Sequence, residues 1–232
     1  MAEPERPPIL ITPDMLVPAA APDPHAGRID FERRMSYAPP ITLGLLAILL
    51  IVFVWQIASG ALTSEAGIVN AGALVRSRVL AGEWWRLASA TFLHGGPDHL
   101  IGNSISLYIL GMACEHAFGR DRFAGIYAAS GLAGSVLSMM ISHGPSVGAS
   151  GAIFGIMGAL IAHLIKHQNE FYLRDKRIGI VLLAWAVYTL LIGFVTPYVD
   201  NGAHLGGLLA GIVAGVLVPS RLLSPTSARP NT

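Results

Sequence analysis

Charge is scarce in this chain. Lys, Arg, Asp and Glu make up 12% of its 232 residues, about half of the roughly 25% usual in soluble domains. Hydrophobic residues supply 53%, and the mean hydropathy is +0.59, so a multi-span membrane protein is the expected class. A net charge of +1 offers nothing in favour of nucleic acid as a partner. Cysteine is nearly absent. The single Cys114 lies in an apolar run, which excludes an intramolecular disulfide and leaves the redox compartment open. His163 and His167, spaced i, i+4, have no Cys or carboxylate cluster beside them, so neither a metal nor any other cofactor is expected. Internal similarity between the two halves is lacking as well, and that argues against a transporter built on inverted repeats.

What is present is a set of six apolar stretches, near Ile41–Ala58, His99–Phe118, Phe123–Ser142, Ala149–Lys166, Ile178–Thr196 and Gly202–Pro219. Each approaches the roughly 20 residues that cross a bilayer as a helix. Gly and Pro separate them at Pro39-Pro40, Gly95-Gly96-Pro97, Gly144-Pro145 and Pro197. The fold expected is therefore an all-α, six-transmembrane-helix bundle.

Basic residues orient it. Twelve of the 15 Lys and Arg fall before the first span, or after the second, fourth and sixth. Only Arg76, Arg78 and Arg86 lie in the opposite loops. The positive-inside rule then places both termini in the cytoplasm. Residues 1–38, rich in Pro, Ala and Asp, read as a disordered cytoplasmic tail, 39–220 as the bundle, and 221–232 as a second short tail. The region before the first apolar run is too long and too mixed in charge for a signal peptide. The loop from about 60 to 97 is long for a compact bundle and carries Ile68, Val69, Leu74, Val75, Val79, Leu80 and the pair Trp84-Trp85. Tryptophan favours the membrane interface. Such a loop fits an interfacial hairpin or a lateral wall half-sunk in the outer leaflet.

With the amino terminus inside, spans two, four and six all begin on the outer side. Those are the spans that open with His99 and Asn103, with Ser150 in Gly148-Ala149-Ser150-Gly151, and with His204 in Ala203-His204-Leu205-Gly206-Gly207. Polar side chains at such depth are costly and usually face a bundle interior or a hydrated cavity. A serine among glycines more often serves close packing than chemistry. At a helix amino end, however, its hydroxyl sits beside unpaired backbone N–H groups and the positive end of the dipole. Those donors would stabilise an oxyanion formed by attack of that hydroxyl. The serine needs a base, and His204 is the candidate; a buried histidine satisfied by a carbonyl is the bland alternative. Gly207, Gly211 and Gly215 leave one face of span six bare, and Gly151 and Gly155 leave a matching face on span four. Two such faces can approach closely and bring Ser150 to His204. His99 and Asn103, i, i+4, share a face and read either as interhelical hydrogen-bonding groups or as oxyanion donors.

These residues together resemble the rhomboid family of intramembrane serine proteases. The likeness runs from about Trp85 to Gly215 through Trp85-Arg86, His99-x-x-x-Asn103, Glu115-x-x-x-Gly119-Arg120, Gly148-Ala149-Ser150-Gly151 and Ala203-His204-x-x-Gly207-x-x-x-Gly211. It implies a six-helix core, a Ser150–His204 dyad, and an oxyanion hole from His99, Asn103 and the Ser150 backbone N–H. It also implies supporting roles for Gly148, Gly151, Phe154, Gly207, Gly211, Trp85, Arg86 and Glu115. Phe154 stands where the family carries an aromatic residue packed against the histidine. The substrates implied are single-span or multi-span membrane proteins in a lipid bilayer, cleaved near its outer boundary. The site implied is a bacterial inner (plasma) membrane. A catalytically inactive, client-binding relative is the alternative, although both Ser150 and His204 remain. Oligomeric state is unspecified.

Asp200, four residues before His204, is read as the cap of span six rather than a third triad member. Gly144-Pro145-Ser146 and Pro197-Tyr198-Val199-Asp200 are expected at the rim of a water-filled cavity. Span five carries bulky Leu182, Trp185, Leu190 and Phe194 and lacks the glycine spacing, so it is the expected gate, closing against span two.

Overall fold

The computed structural model describes residues 27–142, 144–196 and 199–223. Most of the first tail, all but three residues of the second, and Pro197 and Tyr198 of the expected rim lie outside the described residues. Among those described there is no β-sheet, only two isolated bridges. The long helices are α1 (Pro40–Ala58), α5 (Pro97–Phe118), α6 (Arg120–Ile141), α7 (Ser150–Lys166), α8 (Leu173–Gly193) and α9 (Asn201–Leu217). Between α1 and α5 lie three short helices, α2 (Glu65–Ala71), α3 (Arg76–Leu80) and α4 (Arg86–Ser89), and a 3₁₀ turn at Ala90–Phe92. Each apolar stretch of the sequence corresponds to one long helix. By length and composition α1 and α6 can cross a membrane alone, whereas α7, α9 and the apolar part of α8 are shorter apolar helices.

α8 begins five residues before the apolar run because Arg174–Arg177, though charged, continue the helical ladder. Hydropathy marks where side chains change solvent; it does not mark where backbone hydrogen bonding starts.

α7 is the central helix. Every residue from Gly151 to Leu164 is buried, with α5, α6, α8 and α9 packed around it. Its closest neighbour is α9. A Cβ built on Gly207 would strike the Gly151 carbonyl, one on Gly211 the Gly155 carbonyl, and one on Gly215 the Ala159 carbonyl, all closer than real Cβ atoms approach. The four-residue glycine spacing therefore sets backbone on backbone along three successive turns. α6 completes the layer: a Cβ on Gly134 would lie 2.7 Å from the Ala203 carbonyl, and one on Gly206 2.7 Å from that of Ala133. α8 packs mainly on α7, with a smaller contact to α9, rather than closing against α5. Leu182 and Ala186 are its buried contacts. Trp185 is 37% exposed and Phe194 78%, so these two face away from the bundle.

Two polar devices fix the periphery. Glu115, buried in α5, accepts the N–H groups of Ile41 (3.2 Å) and Thr42 (2.9 Å) and the Thr42 hydroxyl (2.9 Å). A carboxylate from another helix thus caps the open amino end of α1, where Pro39 and Pro40 supply no side-chain cap. At the Lys166 end of α7, the described part of the amino-terminal stretch does not lie free. Phe31 is 4% exposed, its ring set against His116 and Phe171, and its N–H bonds the buried Asp175 carboxylate at 3.0 Å. Ile29 donates to the Glu170 carbonyl at 2.7 Å, and Arg174 pairs with Asp30 at 2.6 Å. Three apolar side chains set among polar ones, Ile29, Phe31 and Met35, supply the burial that holds this strap down.

Candidate active site

Ser150 is the first residue of α7, so its N–H and the next two precede the helical hydrogen-bond ladder and remain available as donors. The chain reaches it through Gly148, whose φ of +133° is open to glycine. That approach is held from the side. Leu74 and Ser146 exchange backbone hydrogen bonds of 2.9 and 3.0 Å, and the Gly148 N–H donates to the Ala90 carbonyl at 2.9 Å. Ser146, expected at a cavity rim, is thereby tied to the long first loop.

Arg86 stiffens that loop. Only 3% exposed, its guanidinium donates to the carbonyls of Val69 (2.6 Å) and Ala73 (2.9 Å) and to Glu83 (2.7 Å). The Glu83 carboxyl is held below its ordinary range, first by the Arg86 hydrogen bond. The guanidinium also lies 4.6 Å over the Trp85 ring. A Cβ on Gly72 would stand 2.8 Å from that ring. Trp85 and Arg86 thus belong to the loop that braces Gly148, and among the described residues their contacts stay within that loop.

His204, one turn into α9, places Nε2 2.9 Å from the Ser150 hydroxyl oxygen. The glycine contact below the pair leaves little freedom in that spacing. The His204 ring stacks on Phe154 at 4.2 Å with planes 10° apart, which fixes its tilt. Its Nδ1 is buried and has no hydrogen-bond partner among the described residues. Asp200 does not reach it: its carboxylate accepts the Ala203 N–H at 3.0 Å, the Ser142 hydroxyl at 2.6 Å and the Ser138 hydroxyl. Burial raises the Asp200 pKa, but the serine hydroxyls and the Ala203 N–H outweigh it and hold the group below its ordinary value. The aspartate caps α9 and ties it to α6.

His99 and Asn103 meet at Gly148. A Cβ there would stand 2.7 and 2.8 Å from the His99 Cε1 and Nε2 atoms and 3.5 Å from Asn103 Nδ2. Asn103 is 8% exposed, and its Nδ2 has no hydrogen-bond partner among the described residues. Ser150, His204, His99 and Asn103 are thus assembled around the start of α7, with Gly148 and Gly151 beneath them. Glu115 lies apart, at the cap of α1. His163 and His167 pair ring to ring at 5.1 Å at the other end of α7, and among the described residues no three His, Cys, Asp or Glu gather as metal ligands.

One pair has no counterpart in the sequence reading. Gln56 of α1 and His94, just before α5, are both fully buried and joined by two 3.0 Å hydrogen bonds. A glutamine inside the apolar run of α1 is itself a signal of an interior partner.

Chemically, this is a hydroxyl with a proton acceptor on one side and backbone and side-chain N–H donors on the other. Acyl transfer needs that combination. Comparison with known proteins places the chain in a family. The family model described as Rhomboid domain matches residues 81–221. The chain is 36% identical over 176 residues to "Rhomboid protease GluP" of Bacillus subtilis, covering 76% of this chain and 34% of that protein. It is 44% identical over 150 residues to "RHOMBOID-like protein 5" of Arabidopsis thaliana, covering 63% and 48%. To "Rhomboid protease AarA" of Providencia stuartii it is 31% identical over 209 residues, covering 78% and 74%. The chain belongs to the rhomboid family and is a membrane protein, all-helical among the described residues. It spans about a third of GluP and about half of RHOMBOID-like protein 5.

Proposed function

We propose that this chain is an intramembrane serine endopeptidase that cleaves single-span or multi-span membrane proteins near the outer membrane boundary. The observation that carries this reading is the 2.9 Å contact between His204 Nε2 and the Ser150 hydroxyl at the amino end of a buried helix. Six spans and cytoplasmic termini complete it, from the charge bias and the six long helices. So do a protease domain over 39–220, flanking tails at 1–38 and 221–232, and a place in a bacterial inner membrane.

In this reading His204 Nε2 takes the Ser150 proton as the oxygen attacks a peptide carbonyl. The resulting oxyanion meets the Ser150 N–H, His99 and Asn103. His204 then protonates the leaving amine, and the acyl-enzyme is released by a water that His204 deprotonates. With no hydrogen bond to His204 Nδ1 among the described residues, the pair acts as a dyad. A transmembrane helix shields its own peptide bonds, so a substrate must enter sideways and unwind locally, which favours small or helix-breaking residues at the cut.

An inactive client-binding relative is the second reading; the retained serine and histidine at hydrogen-bond distance count against it. The test is purified protein with a single-span reporter. Ser150→Ala and His204→Ala should each abolish the product fragment while leaving a folded protein. Asn103→Ala and His99→Ala should lower the rate by at most the hundred- to thousandfold, in order of magnitude, that one oxyanion donor contributes. Normal turnover by Ser150→Ala would sink the reading.

A further inference from the structure

His94 is fully buried, and among the described residues its ring nitrogens find no hydrogen bond of good geometry, only an approach to the Phe92 backbone. An unsatisfied buried polar group costs about 1–3 kcal/mol, and native folds retain few of them without a use. Phenylalanine or leucine would fill the same space without that penalty. The fold nonetheless holds the residue tightly: Gln56 donates from Nε2 to the His94 carbonyl and accepts the His94 N–H at Oε1. The ring so held faces His99 edge-on, with centroids 5.1 Å apart and planes at 70°.

His99 needs such support. It is solvent-exposed in the first turn of α5, and its ring lies against the bare backbone of Gly148. Burial first, then the neighbouring His99, push the His94 pKa down to about 4, against a smaller pull from the Phe92 backbone. Across the neutral range its ring therefore offers one N–H and one lone pair.

We infer that His94 is a positioning residue: its buried imidazole, carried on a backbone that Gln56 anchors, holds the His99 ring over Gly148, where His99 can meet the oxyanion. The inference rests on the oxyanion role given to His99 above.

The test is a double-mutant cycle on the reporter reaction, with wild type, His94→Phe, His99→Ala and the double variant. Phenylalanine keeps a flat ring of similar volume and removes both nitrogens. A packing role alone predicts unchanged kcat and an equal or higher Tm, because poorly satisfied buried nitrogens are gone. Positioning predicts a kcat loss of about tenfold or more, short of the hundred- to thousandfold of a lost donor, with KM unchanged and Tm no lower. It also predicts no further loss when His94→Phe is added to His99→Ala. If the phenylalanine variant does not fold, His94→Leu carries the same expectations. Wild-type kcat in a folded His94 variant overturns the inference, and so do losses that multiply in the double variant. Full activity of His99→Ala would instead overturn the oxyanion role beneath it, which separates the two failures.

Discussion

On one flank of α7 the chain meets α9 backbone to backbone; on the other it meets α8 through side chains. The α9 contact is made by Gly207, Gly211 and Gly215 against the carbonyls of Gly151, Gly155 and Ala159. It holds one partner of the Ser150–His204 pair on each helix. The α8 contact rests on Gly179 over Leu164, with Leu182 and Ala186 behind it. A bare-backbone contact has no rotamers with which to adjust, so the helices keep one separation or come apart. A side-chain contact can repack at modest cost. The bundle therefore puts its chemistry on the inflexible flank and leaves the yielding flank to the helix that faces outward.

That contrast predicts a graded series. Gly211→Val drives a branched side chain into the Gly155 carbonyl and should be the most severe. We expect a penalty beyond about 4 kcal/mol and loss of both cleavage and a defined melting transition. Survival of activity would show that the two backbones can separate. Leu182→Ala empties a buried position on α8 and should cost about 2–5 kcal/mol, read as a lower Tm, with turnover per folded molecule retained.

Asp200→Ala comes next. It removes the α9 cap, worth about 0.5–2 kcal/mol, along with the hydrogen bonds to Ser138 and Ser142. Because the folded pKa of Asp200 lies below 3.8, its contribution is complete at neutral pH and fades as acid protonates the carboxylate. The Tm gap to wild type should thus close as the pH falls below that value. Turnover should stay within about tenfold, whereas losing a true third triad member costs on the order of 10⁴. The smallest effects belong to Trp185→Ala and Phe194→Ala. Both side chains are exposed on α8, so Tm should shift little and cleavage of a transmembrane reporter should hold or rise. A loss of activity without loss of stability at both positions would make α8 a substrate-binding wall rather than a movable one.

Much of this molecule is legible in the chain because a membrane makes polarity conspicuous. Ser150, His204, His99 and Asn103 stand out in apolar runs, and the glycine registers of α7 and α9 announce their contact. The Asp200 cap was readable from its place before the helix. Other features were hidden for a common reason: their partners are backbone groups, which no motif records. Arg86 binds the carbonyls of Val69 and Ala73, Gln56 binds the peptide of His94, and Glu115 binds the N–H groups of α1. The strap through Ile29 and Phe31 was obscured by the polar composition around it. α8 was expected to close on the second span; bulky residues on a helix show that it has an apolar face, but a lipid-facing surface is equally apolar, so bulk does not tell which face meets protein.

The glycine register of α9 also has a genetic consequence. Any missense change at Gly207, Gly211 or Gly215 adds at least a Cβ, and each of those Cβ atoms lands on a carbonyl of α7. These three codons therefore have no conservative replacement to drift through, while codons for exposed residues of α8 such as Val187 and Leu191 can exchange among apolar types. In a population of variants the two helices should age differently. α9 would be frozen along one stripe and α8 worn smooth by exchange, although both border the same central helix.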